Sequence, residues 1–304
     1  VPFALAFHAA FTRRGVWLLP AAALLAFKWH GEVGEQSRLE VTRATVAVAG
    51  LKKPVRVAHF ADLQTDGIRA VELRARAEMN AFAPDFVTFS GDVLNHPSLE
   101  APVYAYLSGF EAKTAKLFVG GDVDGGLDPE DFTRRTGFDW IDGRSPVFST
   151  AGGRLGFVGF GLRDYRLGPD FAALRARQAR GADAVVALSH RPDAAFGLRG
   201  LPVSVLFTGH THGGQVALPF FGPLLTLTRM PRRVAAGGVH DFEGLTVILA
   251  RGLGREGHFA PRVRLVCRPQ VILVELVPLK VKSRRETPSA DATPGGDGVR
   301  RARS

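Results

Sequence analysis

The chain has 304 residues, is 46 % hydrophobic and carries a formal net charge of +10. That length supports one large α/β domain or two small ones, and the single cysteine, Cys267, excludes an internal disulfide. The basic excess favours anionic partners such as phospholipid surfaces, nucleotides or nucleic acid without choosing among them, and part of it is local, with seven Lys and Arg against three Asp and Glu from Lys280 onward.

Val1 to Phe11 is mostly apolar, Thr12-Arg13-Arg14 interrupts it, and Gly15 to Phe27 is uncharged and mostly apolar. That second run is shorter than the ~20 residues that span a bilayer, and fits the apolar core of an export signal better. Thr12 to Leu18 resembles a twin-arginine signal. The expectation is a membrane anchor or export signal plus linker over residues 1–43, with the following domain on the extracytoplasmic side. A peripheral cytoplasmic protein is the alternative.

A polar connector, 31–43, leads to a hairpin-like pair, 44–49 and 51–55, and then to a strand, 54–60, that ends in Ala61-Asp62-Leu63-Gln64. Helical spacing follows over 68–82 and again over 101–115, with a short helix at 129–136 and another at 170–180. Apolar strands are expected at 86–90, 116–119, 146–150, 154–160, 184–188, 203–207, 246–250 and 270–277. Val263 to Cys267 also reads as a strand, with Cys267 a small core residue. From residue 281 the composition turns to Pro, Gly, Ser, Thr and Arg without apolar periodicity, which predicts a disordered basic tail over 281–304.

Strand ends run repeatedly into Asp or His: Asp62, Asp92, Asp122 after two glycines, His190, and the pair His210 and His212. Ligands in layered α/β folds bind at the carboxyl ends of strands. Buried carboxylates without partners are expensive, and gathering them around cations removes the expense. Such Asp/His sets suit Zn²⁺, Mn²⁺ or Fe, and metal pairs about 3.5–4 Å apart serve phosphoester hydrolysis. His59, inside a strand, reads as structural, and His240 and His258 as loop residues, with His258 a candidate to line the cleft. The apolar stretch Val216 to Leu225, followed by Arg229, Arg232 and Arg233, reads as a loop suited to a bilayer or an acyl chain.

In order, Gly91-Asp92, Gly120-Gly121-Asp122-Val123-Asp124, Ser189-His190 and Gly209-His210-Thr211-His212-Gly213-Gly214-Gln215 resemble the motifs of the calcineurin-like metallophosphoesterases, over roughly residues 55 to 277. Ala250 to Gly254 and Pro261 to Pro269 resemble the end of its bacterial, membrane-associated branch, which includes enzymes of lipid-linked phosphates. The resemblance implies a four-layer αββα sandwich, two mixed sheets flanked by helices, over 44–280. It implies two divalent ions (Mn, Zn or Fe), one on Asp62, Gln64, Asp92 and His212, the other on Asp92, Asp122, His190 and His210, with Asp92 shared.

Two positions depart from the family pattern. Asp-x-His becomes Asp62-Leu63-Gln64, and an amide oxygen is a weaker, harder ligand than imidazole. Asn-His-Asp becomes Asp122-Val123-Asp124, and Val123 has no proton to give a leaving group. His96 and Asp124 are the candidate catalytic substitutes. The expectation is a metallophosphoesterase: water activated by two metals cleaves a phosphodiester or pyrophosphate of a lipid-linked or nucleotide-type substrate. A degenerate member that binds metal or phosphate without turnover is the alternative. Nucleic acid is disfavoured, because the chain lacks an aromatic stacking series.

Overall fold

A computed structural model describes residues 18–162, 164, 168–256 and 262–279. The twin-arginine segment, His258 and the basic tail lie outside the described residues.

Two six-stranded mixed sheets stack face to face. The first sheet uses β1 (Glu40–Val48), β2 (Val55–Phe60), β3 (Phe86–Phe89), β4 (Ala115–Phe118), β5 (Phe138–Trp140) and β14 (Gln270–Pro278), in the order β1-β14-β2-β3-β4-β5. The second uses β6 (Val147–Thr150), β7 (Gly153–Phe160), β8 (Ala184–Ser189), β9 (Val205–Thr208), β12 (Gly238–Phe242) and β13 (Leu245–Leu249), in the order β12-β13-β9-β8-β7-β6. A two-stranded ribbon, β10 (Ala217–Leu218) and β11 (Gly222–Pro223), projects from the edge.

Three apolar cores fix the layering. Val57, Phe86 and Leu117 of the first sheet meet Phe157, Val186, Val205 and Phe207 of the second. On the outer face of the first sheet, Phe60, Phe89 and Phe118 pack under α2 (Ala70–Ala81), α3 (Glu100–Ser108) and α4 (Pro129–Thr136). On the outer face of the second, Val158, Leu206 and Val247 pack under α5 (Gly168–Gln178), α6 (Ala194–Leu198) and α7 (Arg232–Ala235). This is the expected αββα sandwich. Strands buried on both faces need apolar residues at every position, which is why they read as continuous apolar runs. Helix α4 forms where expected because its ends are marked: Asp128 accepts the Asp131 amide at 2.7 Å, Pro129 opens the first turn, and Gly137 closes it at φ 74°.

Some expectations fail. Residues 44–55 form no hairpin: β1 starts at Glu40, inside the expected linker, and pairs parallel with β14, Glu40 opposite Gln270. A partner about 230 residues away leaves no local signal. Val263 to Cys267 is not a strand, since only an isolated bridge joins Leu265 to Val216; Cys267 is nonetheless buried. His240 lies in β12, not in a loop. Strands β5 and β12 and helices α6 and α7, too short for a periodic pattern, were not foreseen.

The connector is integrated into the domain. Helix α1 (Leu18–Trp29) continues into a π turn, His30–Gly34, and Gly31 accepts the Arg264 amide while Gln36 donates to the Leu253 carbonyl at 2.8 Å. Helix α1 itself stays apolar and exposed, with only Ala21 buried. Among the described residues, no helix is long and apolar enough to cross a membrane.

His59 is structural, as expected. Its ring bridges Thr88 Oγ1 of the first sheet and the Thr208 carbonyl of the second, both at 3.0 Å. Burial pushes its imidazole down to about 4, against opposing backbone hydrogen bonds. A lowered imidazole pKa means that the unfolded chain takes up a proton first. Stability is therefore complete above about pH 6.5 and declines as pH falls toward 4, by about 3 kcal/mol in all. Urea midpoints of the parent and His59→Gln, measured at pH 7.5 and 4.5, should show a steeper acid loss in the parent. Parallel losses would contradict this.

Candidate metal centre

Strands β2, β3 and β4 run parallel, as do β8 and β9, so their carboxyl ends open on one edge of the sandwich. Asp62, Asp92 and Asp122 follow the first three, and His190, His210 and His212 the other two. The backbone there is strained: Asp62, Asp92, His210 and His212 have φ of 45°, 60°, 72° and 48°. Side chains other than glycine rarely sit there, at about 1–3 kcal/mol each, and the surrounding fold must enforce it. Neighbouring glycines make room for it. A Cβ on Gly91 would lie 2.6 Å from Gly121 Cα and 2.8 Å from His190 Nδ1, and one on Gly209 would lie 2.6 Å from Asp62 Oδ2.

The six side chains form two clusters, Asp62 with Asp92 and His212, and Asp122 with His190 and His210, each with its ligand atoms within 4.8 Å of one another. In the second, His210 Nδ1 lies 2.9 Å from Asp122 Oδ2 and 3.2 Å from His190 Nε2. His190 Nδ1 donates to the Ser90 carbonyl at 2.7 Å, which fixes the tautomer and turns Nε2 to the cluster. Asp92 connects the clusters, its Oδ2 lying 3.6 Å from His190 Nε2.

The donors fit divalent ions. Both His212 ring nitrogens are buried without hydrogen-bond partners. Burial, then Arg264 and the other histidines, hold His212 well below its usual value, so it is neutral, the form that binds metal. Burial drives Asp62 well above the carboxylate range, although His190 opposes this. Burial would lower His190, yet Asp92, Asp122 and Asp62 hold it up at about 10. Carboxylates that draw a proton onto a buried imidazole mark a place where positive charge is needed.

Gln64 takes part. Its Nε2 donates to Asp92 Oδ2 at 3.0 Å, while its buried Oε1 has no hydrogen-bond partner. The amide thus orients the Asp92 carboxylate. The catalytic substitutes fare differently. His96 is exposed, belongs to neither cluster, and uses Nδ1 to cap the turn at Pro97–Leu99 by accepting the Ser98 amide. Asp124 is buried, pushed up to about 6 by burial and then by Asp92. Its oxygens accept the amides of Asp92 and Gly121 at 2.7 Å and of Val93 at 2.8 Å. It builds the loop that carries Asp92, whereas the expectation was a proton donor.

Arg264 lies in the Pro261–Pro269 stretch that resembles the family, but nothing there marks it as buried. Fully buried, it donates to the carbonyls of Arg251, Gly252, Gly254 and Cys267. The loop so held returns the amides of Leu253 and Gly254 to the Asp62 carbonyl at 3.1 and 2.8 Å. Asp122 is itself paired with Arg191, whose Nη2 lies 2.7 Å from Oδ1.

A cleft of about 700 Å³ opens on the centre. Its lining combines Asp122, Arg191, His210 and His212 with Val216, Leu224, Leu225 and Leu227.

Fold and site together define an α/β protein with candidate divalent-metal clusters at the carboxyl edge of stacked sheets. The calcineurin-like phosphoesterase family model matches residues 55–214, more than half of the chain, and the chain belongs to that family. It is a metallophosphoesterase, a hydrolase of phosphoric esters. It is 28 % identical over 229 residues to the uncharacterized metallophosphoesterase YkuE of Bacillus subtilis, across 72 % of this chain and 76 % of the relative. It is 36 % identical over 90 residues to phosphodiesterase YaeI of Escherichia coli, across 30 % and 31 % of the two chains. Over 95 residues it is 33 % identical to UDP-2,3-diacylglucosamine pyrophosphatase LpxG of Chlamydia trachomatis, across 29 % and 28 %.

Proposed function

We propose that the protein is a two-metal phosphodiesterase or pyrophosphatase acting on a lipid-linked phosphoester. The observation that carries the two-metal reading is the position of Asp92, a member of one cluster whose carboxylate lies 3.6 Å from a ligand nitrogen of the other. Asp62, Asp92, His212 and the Gln64 oxygen would hold one ion, and Asp92, Asp122, His190 and His210 the second. Bound divalent ions supply an activated water and offset charge on the phosphoryl oxygens. The chain's own part is to fix the ligands: the His210 amide donates to both Asp62 oxygens at 3.0 Å, and the Val123 amide donates to Asp92 Oδ1 at 3.1 Å. Because Val123 has no proton to give, leaving groups that depart as stable anions, such as the phosphate of a pyrophosphate, suit the site.

The lipid part rests on the surface around the cleft. Leu218, Phe220, Phe221, Leu224, Leu225 and Leu227 are all exposed, and Arg232 stacks over Phe221 at 4.1 Å. Apolar residues next to basic ones are the pattern of an interfacial segment. Helix α1, exposed and apolar apart from Lys28 in its last turn, supports membrane association. The similarity to a diacylglucosamine pyrophosphatase supports the same substrate class.

Purified protein loaded with Mn²⁺ should hydrolyse bis(p-nitrophenyl) phosphate. It should also cleave an acylated nucleotide-sugar pyrophosphate with higher kcat/KM than its deacylated counterpart. Equal rates on the last two would remove the lipid part. Bound metal without turnover on a broad phosphoester panel would leave the binding-only reading.

A further inference from the structure

Asp122 stands where the family pattern has asparagine, and it brings a negative charge into the ligand cluster. Arg191, directly after His190, answers that charge. Its Nε and Nη2 donate to Asp122 Oδ1 at 3.1 and 2.7 Å, and Nη2 also donates to Oδ2 at 2.8 Å. The two side chains are about three-quarters buried, Arg191 at 23 % and Asp122 at 27 % exposure. Oδ2 is the atom that His210 Nδ1 approaches at 2.9 Å, so one carboxylate joins the guanidinium to the second cluster.

The ion pair cancels in charge, leaving the cluster with the balance that a neutral residue at 122 would give. A remote counter-ion behind Asp122 would serve that end. Arg191 instead lines the cleft together with His210 and His212. A planar guanidinium suits phosphate oxygens, and a carboxylate that fixes its orientation removes much of the entropy lost on binding. Val123, on the same loop as Asp122, presents only an apolar side chain.

We propose that Arg191 is a phosphate-binding catalytic residue of this site, oriented by Asp122 to hold phosphoryl oxygens beside the second metal cluster. This rests on the two-metal reading above. The test is calorimetric binding of inorganic phosphate to manganese-loaded protein, with manganese content measured in parallel. In Arg191→Gln the metal content should stay parental and phosphate affinity should fall at least ~10-fold. Arg191→Lys, which keeps the charge and loses the fork, should fall between. The double variant Asp122→Asn with Arg191→Gln should bind phosphate as weakly as Arg191→Gln.

Parental phosphate affinity in Arg191→Gln would overturn the proposal. Recovery of parental affinity in the double variant would overturn it too, because Arg191 would then be only a counter-ion. If Arg191→Gln fails to fold or loses metal, Arg191→Lys decides: weakened binding at parental metal content supports the proposal, and unchanged binding overturns it. The readout is binding, so it stands apart from the hydrolase reading, whose failure appears as a parent that binds manganese and turns over no ester.

Discussion

On the two-metal reading proposed above, Asp92→Asn is expected to remove about one ion or more and to lower phosphodiester hydrolysis by at least ~10³-fold. The substitution keeps size and shape but removes the charge shared by both clusters. Asp92 Oδ2 accepts from Gln64 and faces His190, and Oδ1 accepts the Val123 amide. An asparagine keeps only one acceptor oxygen for these demands. Its backbone, at φ 60° and held by Asp124 at 2.7 Å, tolerates asparagine well, so folding should persist. Elemental analysis and steady-state kinetics on the same preparation check this. Parental metal content with activity within tenfold would place the shared carboxylate elsewhere.

Arg264→Leu should be the most destabilising of the changes considered, at about 3–5 kcal/mol. Leucine fills part of the volume but leaves the carbonyls of Arg251, Gly254 and Cys267 buried without donors, while that of Gly252 keeps the Gln270 backbone amide at 3.1 Å. Those carbonyls belong to the loop whose amides hold Asp62, so the damage extends to the metal centre. The melting temperature should fall by about 10 °C, and the variant should bind manganese more weakly than the parent. A melting temperature within 2 °C of the parent would mean that the loop is held by other contacts.

The candidate ligands were legible in the sequence because each sits at the end of an apolar run. Strands buried on both faces take Asp or His in their interiors only where both polar ends find partners, as His59 does, so the other such residues cluster where a strand stops, as Asp62 follows Phe60 and Asp92 follows Phe89. Gln64 was legible as a departure, but its use was not: that its amide nitrogen points at Asp92 is a three-dimensional fact. His96 and Asp124 had equal standing as replacements for the missing donor at 123. The fold turns His96 outward as a cap and buries Asp124 under three amides.

Arg264 and Arg191 were silent for another reason. Arginine is usually a surface residue, and neither neighbouring sequence marks one as buried or the other as paired with Asp122. The same limit hid β1, whose partner β14 lies at the far end of the chain.

The sequence by itself determined the order of most strands and helices and the Asp and His residues at their ends, while the layers were what the family resemblance implied. It does so because burial imposes a period and a composition on each element, and these can be read locally. Only the tertiary structure decided which ligands share a cluster, which carboxylate joins the two, and which arginine supports each part. Those are relations between strand ends about 30 to 150 residues apart, set by parallel pairing and sheet stacking, and no local pattern encodes them.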